Sequence, residues 1–231
     1  MAARIAKATA GPTTCEPPPA KRTVVDDLCD AADWVVGTAR DEYLEKTHFD
    51  FPRRPGKFTV GVVDDAQKGR TFEVKLLPQA DVPWPCPRYL VLEAKGAQPV
   101  AGRPTAVGMW VKGNSCWGRV MWEFEDAKGE RFFSIGAPCG GWLVGDWRTR
   151  SYINFDGWNY LQVRLLTWYS SGYHGPERRN WKYDGGDGHV DFPIRFRRLV
   201  IEMRDRVVRL TDAVPVPNPA IRLKDLSVSF D

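Results

Sequence analysis

A period of two constrains this chain more than any other feature. Phe58, Val60 and Val62 form one apolar run, Phe72, Val74 and Leu76 a second, and Val107, Met109 and Val111 a third. Val120, Trp122 and Phe124, then Leu161, Val163 and Leu165, then Leu199, Ile201 and Met203 complete the series. Between these positions stand Glu73, Lys75, Glu123, Glu125, Gln162 and Arg164. Successive side chains of a strand point to opposite faces, so each run has one apolar face and one polar face, the signature of antiparallel strands with one side in a core. Asp126-Ala127-Lys128-Gly129 supplies a hairpin turn between the Trp122 strand and the Phe132-Phe133 strand. Helical periodicity is confined to at most a turn or two around Asp41 to Lys46. About eight to ten short strands between Gly, Pro and Asp clusters predict an all-β fold, a two-sheet antiparallel β-sandwich of jelly-roll topology.

Composition narrows the partners. The 231 residues are 43% hydrophobic and 27% charged, which excludes disorder and collagen. No apolar run is long enough for a membrane helix, so no membrane partner is expected. The net charge of +4 is spread evenly over the two halves, so no nucleic-acid partner is expected either. Residues 1–22 lack the apolar centre of a signal peptide and contain Pro17-Pro18-Pro19, so they read as a linker or disordered N-terminal segment. The sandwich is then 23–231. Cys15, Cys29, Cys86, Cys116 and Cys139 form no C-x-x-C pair and leave at least one thiol unpaired; a Cys116–Cys139 bridge and buried free thiols both fit.

The aromatic residues are unevenly placed. Residues 142–183 hold Trp142, Trp147, Trp158, Trp168 and Trp181 with Tyr152, Tyr160, Tyr169, Tyr173 and Tyr183. That is ten of the chain's 17 Trp and Tyr residues, where an even spread would give about three. Tyr160 to Leu166 is the one good strand there, which puts most of these rings on loops, either packed down as plugs or standing out to meet a ligand. A pyranose has an apolar C–H face and a rim of hydroxyls, so its site combines flat rings with planar hydrogen-bonding side chains. Trp142, Trp147, Arg148, Tyr152, Trp168, Tyr169, Tyr173, Arg178 and Trp181 are the candidate ligand-binding residues. The same mixture stacks nucleobases, but the balanced charge favours sugar. Trp110, Trp122 and Trp158, next to strand residues, are expected in the core, and Trp84 among prolines at an edge.

The order of several motifs carries a resemblance. Val107-Gly108-Met109-Trp110-Val111-Lys112-Gly113, then Asp126-Ala127-Lys128-Gly129, then Asp156-Gly157-Trp158-Asn159-Tyr160, and finally Ile221-Arg222-Leu223-Lys224-Asp225-Leu226 resemble, in sequence order, the galactose-binding-like jelly-roll carbohydrate-binding modules. Val25-Asp26-Asp27-Leu28-Cys29-Asp30 resembles their first strand. The resemblance implies a non-catalytic module that recognises a polysaccharide or oligosaccharide. It also implies a covalently linked catalytic domain in a larger polysaccharide-degrading protein, and an extracellular or cell-surface location. It implies a structural calcium between the first and last strands as well, with Asp225 the foremost ligand and Asp27 and Asp30 behind it. Cys29, a poor calcium ligand, stands where such modules often carry Glu.

The competing expectation is a small jelly-roll glycoside hydrolase or polysaccharide lyase. A glycosidase needs two carboxyl groups at a set separation, and Glu123 and Glu125 share a strand face. The more ordinary reading of that row is a solvated outer face. A lyase needs a Tyr or His base beside a charge neutraliser, and Tyr173-His174 near Arg178 and Arg179 supplies those types. No G-x-S-x-G, H-E-x-x-H or Walker loop is present, so no catalytic residue is assigned.

Overall fold

The computed structural model describes residues 18, 20–37, 41, 53–80, 86–116, 118–134, 152–153, 155–165, 181–184, 186–208, 213–215 and 219–230. In chain order the strands are β1 (Arg22–Asp26), β2 (Trp34–Gly37), β3 (Arg54–Pro55), β4 (Phe58–Asp65), β5 (Gly69–Leu76), β6 (Arg88–Ala94), β7 (Ala106–Asn114) and β8 (Gly118–Glu125). They continue with β9 (Arg131–Ser134), β10 (Tyr152–Ile153), β11 (Asp156–Arg164), β12 (Trp181–Asp184), β13 (Arg195–Met203), β14 (Arg206–Val208), β15 (Ala213–Pro215) and β16 (Ala220–Ser229). A single 3-10 turn, Ala31–Asp33, joins β1 to β2.

These strands build the expected two-sheet jelly-roll sandwich. Sheet I runs β11-β7-β16-β5-β4, with β1 beside the C-terminal part of β16. Sheet II runs β12-β9-β8-β13-β6-β2, with β10 beside β8 and β3 beside β6. The pairs within the two sheets are antiparallel except β3 with β6. Five of the six predicted stripes face inward, where Phe72, Val74, Val107, Met109, Val111, Leu161 and Val163 from sheet I meet Val120, Trp122, Phe124, Leu199, Ile201 and Met203 from sheet II in one buried cluster; of the sixth, Phe58 and Val60 pack half-buried against it. A buried side chain of this size stabilises by about 1.5–3 kcal/mol, so the stripes dominate the energetics. Among the described residues no helix is long and apolar enough to cross a membrane.

The hairpin between β8 and β9 forms where Asp126-Ala127-Lys128-Gly129 places it. Asp126 Oδ1 accepts the Lys128 and Glu130 N–H groups, each at 2.9 Å, and Gly129 takes φ 83°, a region that disfavours other residues. Gly118 has a different role: a Cβ there would lie 1.9 Å from the Glu202 carbonyl oxygen, so only glycine lets β8 begin this close to β13.

Cys116, immediately before β8, is a fully buried free thiol, and burial pushes its pKa up to about 11. Thiolate is the reactive form. Cys116 should therefore resist iodoacetamide in the native protein at neutral pH and react only on unfolding; labelling of native Cys116 in a peptide map would contradict this packing.

Candidate functional site

The two aromatic-rich segments, 135–151 and 166–180, are tied to one corner of sheet II. The first leaves β9 at Ser134 and returns in β10 at Tyr152; the second leaves Leu165, just after β11, and returns in β12 at Trp181. Ser134 pairs with Trp181 and Tyr152 with Arg119, while Ser134 Oγ accepts the Trp122 N–H at 2.8 Å. The Trp181 indole N–H donates to the Arg164 carbonyl at 2.6 Å, drawing the end of β11 to the same corner.

Trp142, Trp147, Arg148, Trp168, Tyr169, Tyr173 and Arg178 lie outside the described residues, and of Tyr152 the strand position alone is described. Trp181 is a correction to the loop assignment. It starts a strand, is 3% exposed, and packs edge-on against Phe124 with ring centroids 5.1 Å apart. The pairing of β12 with β9 turns it inward, so its ring is core and not a ligand platform.

The outer face of sheet II carries a charge network that the sequence did not reveal. Glu202 on β13 is fully buried and accepts from Arg119 Nε at 3.3 Å and Nη2 at 3.1 Å, and from Arg53. Glu123 on β8 accepts from Arg131 Nε at 3.0 Å and Arg198 Nε at 2.8 Å, and Arg198 Nη1 reaches Asp41 at 2.8 Å. The row expected to be solvated is thus closed by guanidinium groups, with Glu123 2% exposed. Glu123 and Glu125 share a face as predicted, but both Glu123 oxygens are taken by arginines and Glu125 faces Arg197, so no free carboxyl pair stands there. Tyr89, Val91, Met121, Phe133 and Val200 form a small apolar cluster on this face. The Arg53 Nη2 is buried without an acceptor, an open donor beside Glu202.

Sheet I has its own polar exterior. Trp110 and Trp158, expected in the core, stand half-buried on this outer face because their parity is opposite to Met109 and Leu161. Lys68 Nζ sits 3.5 Å from the Trp110 ring centre, and the Arg22 guanidinium lies over Tyr160 at 5.6 Å. Asp65 accepts from Lys112 Nζ at 2.7 Å, Arg222 Nη1 at 2.8 Å and the Trp158 indole N–H at 3.0 Å. Burial alone would raise the Asp65 pKa, but Lys112, the Gln67 N–H, Trp158 and Arg222 together hold it far below the usual carboxylate range. The Trp110 and Tyr160 rings are thus already covered by cations.

A cleft of about 590 Å³ opens between the edge strands of the two sheets, lined by Asp26, Asp33, Trp34, Phe196, Leu226 and Phe230 among others. Burial raises the Asp26 pKa; the Leu28 N–H opposes that shift and the Asp33 charge adds to it. Val24, Val25, Val35 and Val36, the exposed large apolar residues of the described chain, all lie on the two strands that flank it.

The implied calcium set does not fit. Among the described residues no three His, Cys, Asp or Glu side chains converge to hold a metal ion. Asp27 Oδ1 is engaged by the Cys29 N–H at 2.9 Å and Asp30 Oδ1 caps the 3-10 turn through the Ala32 N–H at 2.8 Å. Lys224 Nζ stands 2.6 Å from Cys29 Sγ and 3.8 Å from Asp225 Oδ1. Calcium needs six to eight oxygens, whereas this junction offers a sulfur and an ammonium.

No protein-family model matches the chain, and no curated protein matches it. Solved structures that superpose on it include a family 11 carbohydrate-binding module of a cellulosomal cellulase from Clostridium thermocellum, with 11% identity, 91% of this chain and 95% of that one, and a TM-score of 0.46. The family 11 module from the same organism in complex with a β-1,3-1,4-mixed-linked tetrasaccharide gives 11% identity over 90% and 95% of the two chains, at a TM-score of 0.45. An agarase gives 10% identity and a TM-score of 0.46, with 91% of this chain aligned to 25% of that one.

Two substitutions test the networks. Glu202→Gln should destabilise by about 3–5 kcal/mol, since removing one partner leaves buried guanidinium charge uncompensated; a urea midpoint close to the parent's would contradict the network. For Asp65, a depressed folded pKa means that its stabilisation is complete above the unfolded value near 3.9 and is lost as pH falls toward the folded one. Asp65→Asn should therefore unfold earlier than the parent at pH 7, with the gap closing below about pH 4. A gap independent of pH would remove the ionic explanation.

Proposed function

We propose that this chain is a non-catalytic carbohydrate-binding module that takes a polysaccharide or oligosaccharide on aromatic side chains of residues 142–180. The carrying observation is that both segments richest in Trp, Tyr and Arg join the scaffold at one corner of the sandwich, three of their four ends on sheet II and the fourth, after β11 of sheet I, bonded to Trp181 there. Loops carried by a fixed scaffold are where binding residues concentrate. Trp142, Trp147, Trp168, Tyr169 and Tyr173 supply flat apolar area for the C–H face of a sugar ring, and Arg148 and Arg178 supply directed donors for its hydroxyls. In this reading the module serves a larger polysaccharide-degrading protein, to whose catalytic domain it is covalently joined, and works at or outside the cell surface.

Affinity electrophoresis through glucans, xylans, mannans and pectins tests this reading, with retardation expected on at least one polymer. Trp147→Ala and Trp168→Ala should each weaken that binding by about 1–3 kcal/mol, the range for a ring that stacks on a flat ligand. Trp181→Ala should act differently, lowering stability by about 3–5 kcal/mol because it empties a core position. Absence of retardation on every polymer, or loop variants that bind as the parent does while unfolding earlier, would make the rings plugs. New reducing ends or ultraviolet-absorbing unsaturated products would replace the module with an enzyme.

A further inference from the structure

We infer that the Lys224 ammonium is the resident cation of the junction between the first and last strands, and that this junction closes without a divalent metal. The carboxylates of the turn after β1 each hold a backbone N–H of that turn through one oxygen. Asp26 Oδ1 accepts the Leu28 N–H at 2.7 Å, Asp27 Oδ1 the Cys29 N–H and Asp30 Oδ1 the Ala32 N–H. Each of these is a local turn bond between residues two apart, so the three side chains follow the turn and do not converge on a common centre. On the facing strand the register of β16 shifts between Lys224 and Ser227, and Asp225 within that shift takes φ 54°. Its N–H approaches the Asp27 carbonyl at 3.4 Å, which fixes the two chain segments against each other.

Into that junction Lys224 brings a positive charge. Its side chain is 15% exposed, and its ammonium donates to Cys29 Sγ at 2.6 Å with Asp225 Oδ1 at 3.8 Å. The Cys29 thiol is in turn placed to donate to the Arg70 carbonyl at 3.3 Å. One ammonium therefore links β16, the turn after β1 and the start of β5. Burial alone would lower the Lys224 pKa, but the Cys29 contact and the Asp225 and Asp27 charges carry it above the ordinary lysine value. A second ammonium, Lys68, also feels the Asp225 charge. The Lys224 ammonium repels an incoming divalent ion, and a thiol is a poor substitute for an oxygen ligand of calcium. This inference concerns the scaffold and stands whether or not the chain binds sugar.

Thermal unfolding of the full chain provides the test. In metal-free buffer, with excess calcium chloride, and with a chelator, the unfolding midpoint should be the same; a midpoint raised by calcium and lowered by the chelator would overturn the inference, since a ligand of the native state must stabilise it. Lys224→Met should lower the midpoint by several degrees, and Lys224→Arg, which keeps the charge, should recover part of the loss. A Lys224→Met midpoint equal to the parent's would also overturn it. Should Lys224→Met fail to fold, the parent's response to calcium and chelator decides alone.

Discussion

The pairing of β8 with β13 is the interaction on which the rest of the molecule depends. It lies in the interior of sheet II, and both of its faces are buried. Its register sets Leu199 opposite Trp122 and Ile201 opposite Val120 on the inner face, and on the outer face Arg198 opposite Glu123 and Glu202 opposite Arg119. One register thus delivers Val120, Trp122, Leu199 and Ile201 to the core while it sets Glu123 and Glu202 opposite arginines. A slip of one residue would drive Glu123 and Arg119 into the apolar layer and turn Trp122 outward, so polarity on both faces holds the alignment. Gly118 completes the arrangement by admitting the Glu202 backbone where any side chain would collide.

Burying this much charge is not an efficient route to stability. A buried ion pair roughly breaks even against an apolar pair of the same shape, because desolvation of both ions cancels most of their attraction. What such pairs contribute is fixed geometry: the planar forks of Arg119, Arg131 and Arg198 each meet a carboxylate in a defined direction. Both exteriors of the sandwich carry such contacts. On sheet I, Asp65 is saturated by Lys112, Arg222, Trp158 and the Gln67 N–H. On sheet II Glu123 and Glu202 are each held by two arginines, and three of the four strand ends that bound the aromatic segments lie on that sheet.

Much of the scaffold was legible in the sequence because a strand's period reports which residues share a face. The inward stripes, the Asp126–Gly129 hairpin and the core position of Trp122 all follow from it. The same rule held the answer for Trp110 and Trp158: a residue between Met109 and Val111 must point away from them, but the bulk of an indole suggested a core. Glu123 shows the limit of periodicity, which assigns a side chain to a face without saying what covers that face. Arg53 and Asp41 arrive from distant parts of the chain, and nothing local to β8 announces them. Trp181 belongs to a strand of four residues, too short for alternation to stand out among neighbouring loop residues. For the calcium set, the motif positions were present, but Lys224 and Cys29 altered the chemistry that those positions hold.

These placements change what the surplus of tryptophan means. Trp34, Trp122 and Trp181 fill the core, while Trp110 and Trp158 brace the exterior of sheet I against Lys68 and Asp65. Half of the ten indoles therefore have structural duties, and the dense stretch of 142–183 loses Trp158 and Trp181 to them. Tyr152, Tyr160 and Tyr183 belong to strands, and what remains, Trp142, Trp147 and Trp168 with Tyr169 and Tyr173, falls within the two segments that join the scaffold at this corner of the sandwich. Trp181 is the residue at which the second of these segments rejoins the scaffold, and its buried ring, locked to Phe124 and Arg164, fixes that point. In the proposed role, a binding segment with a fixed end has less conformational entropy to lose to a ligand than one with a free end.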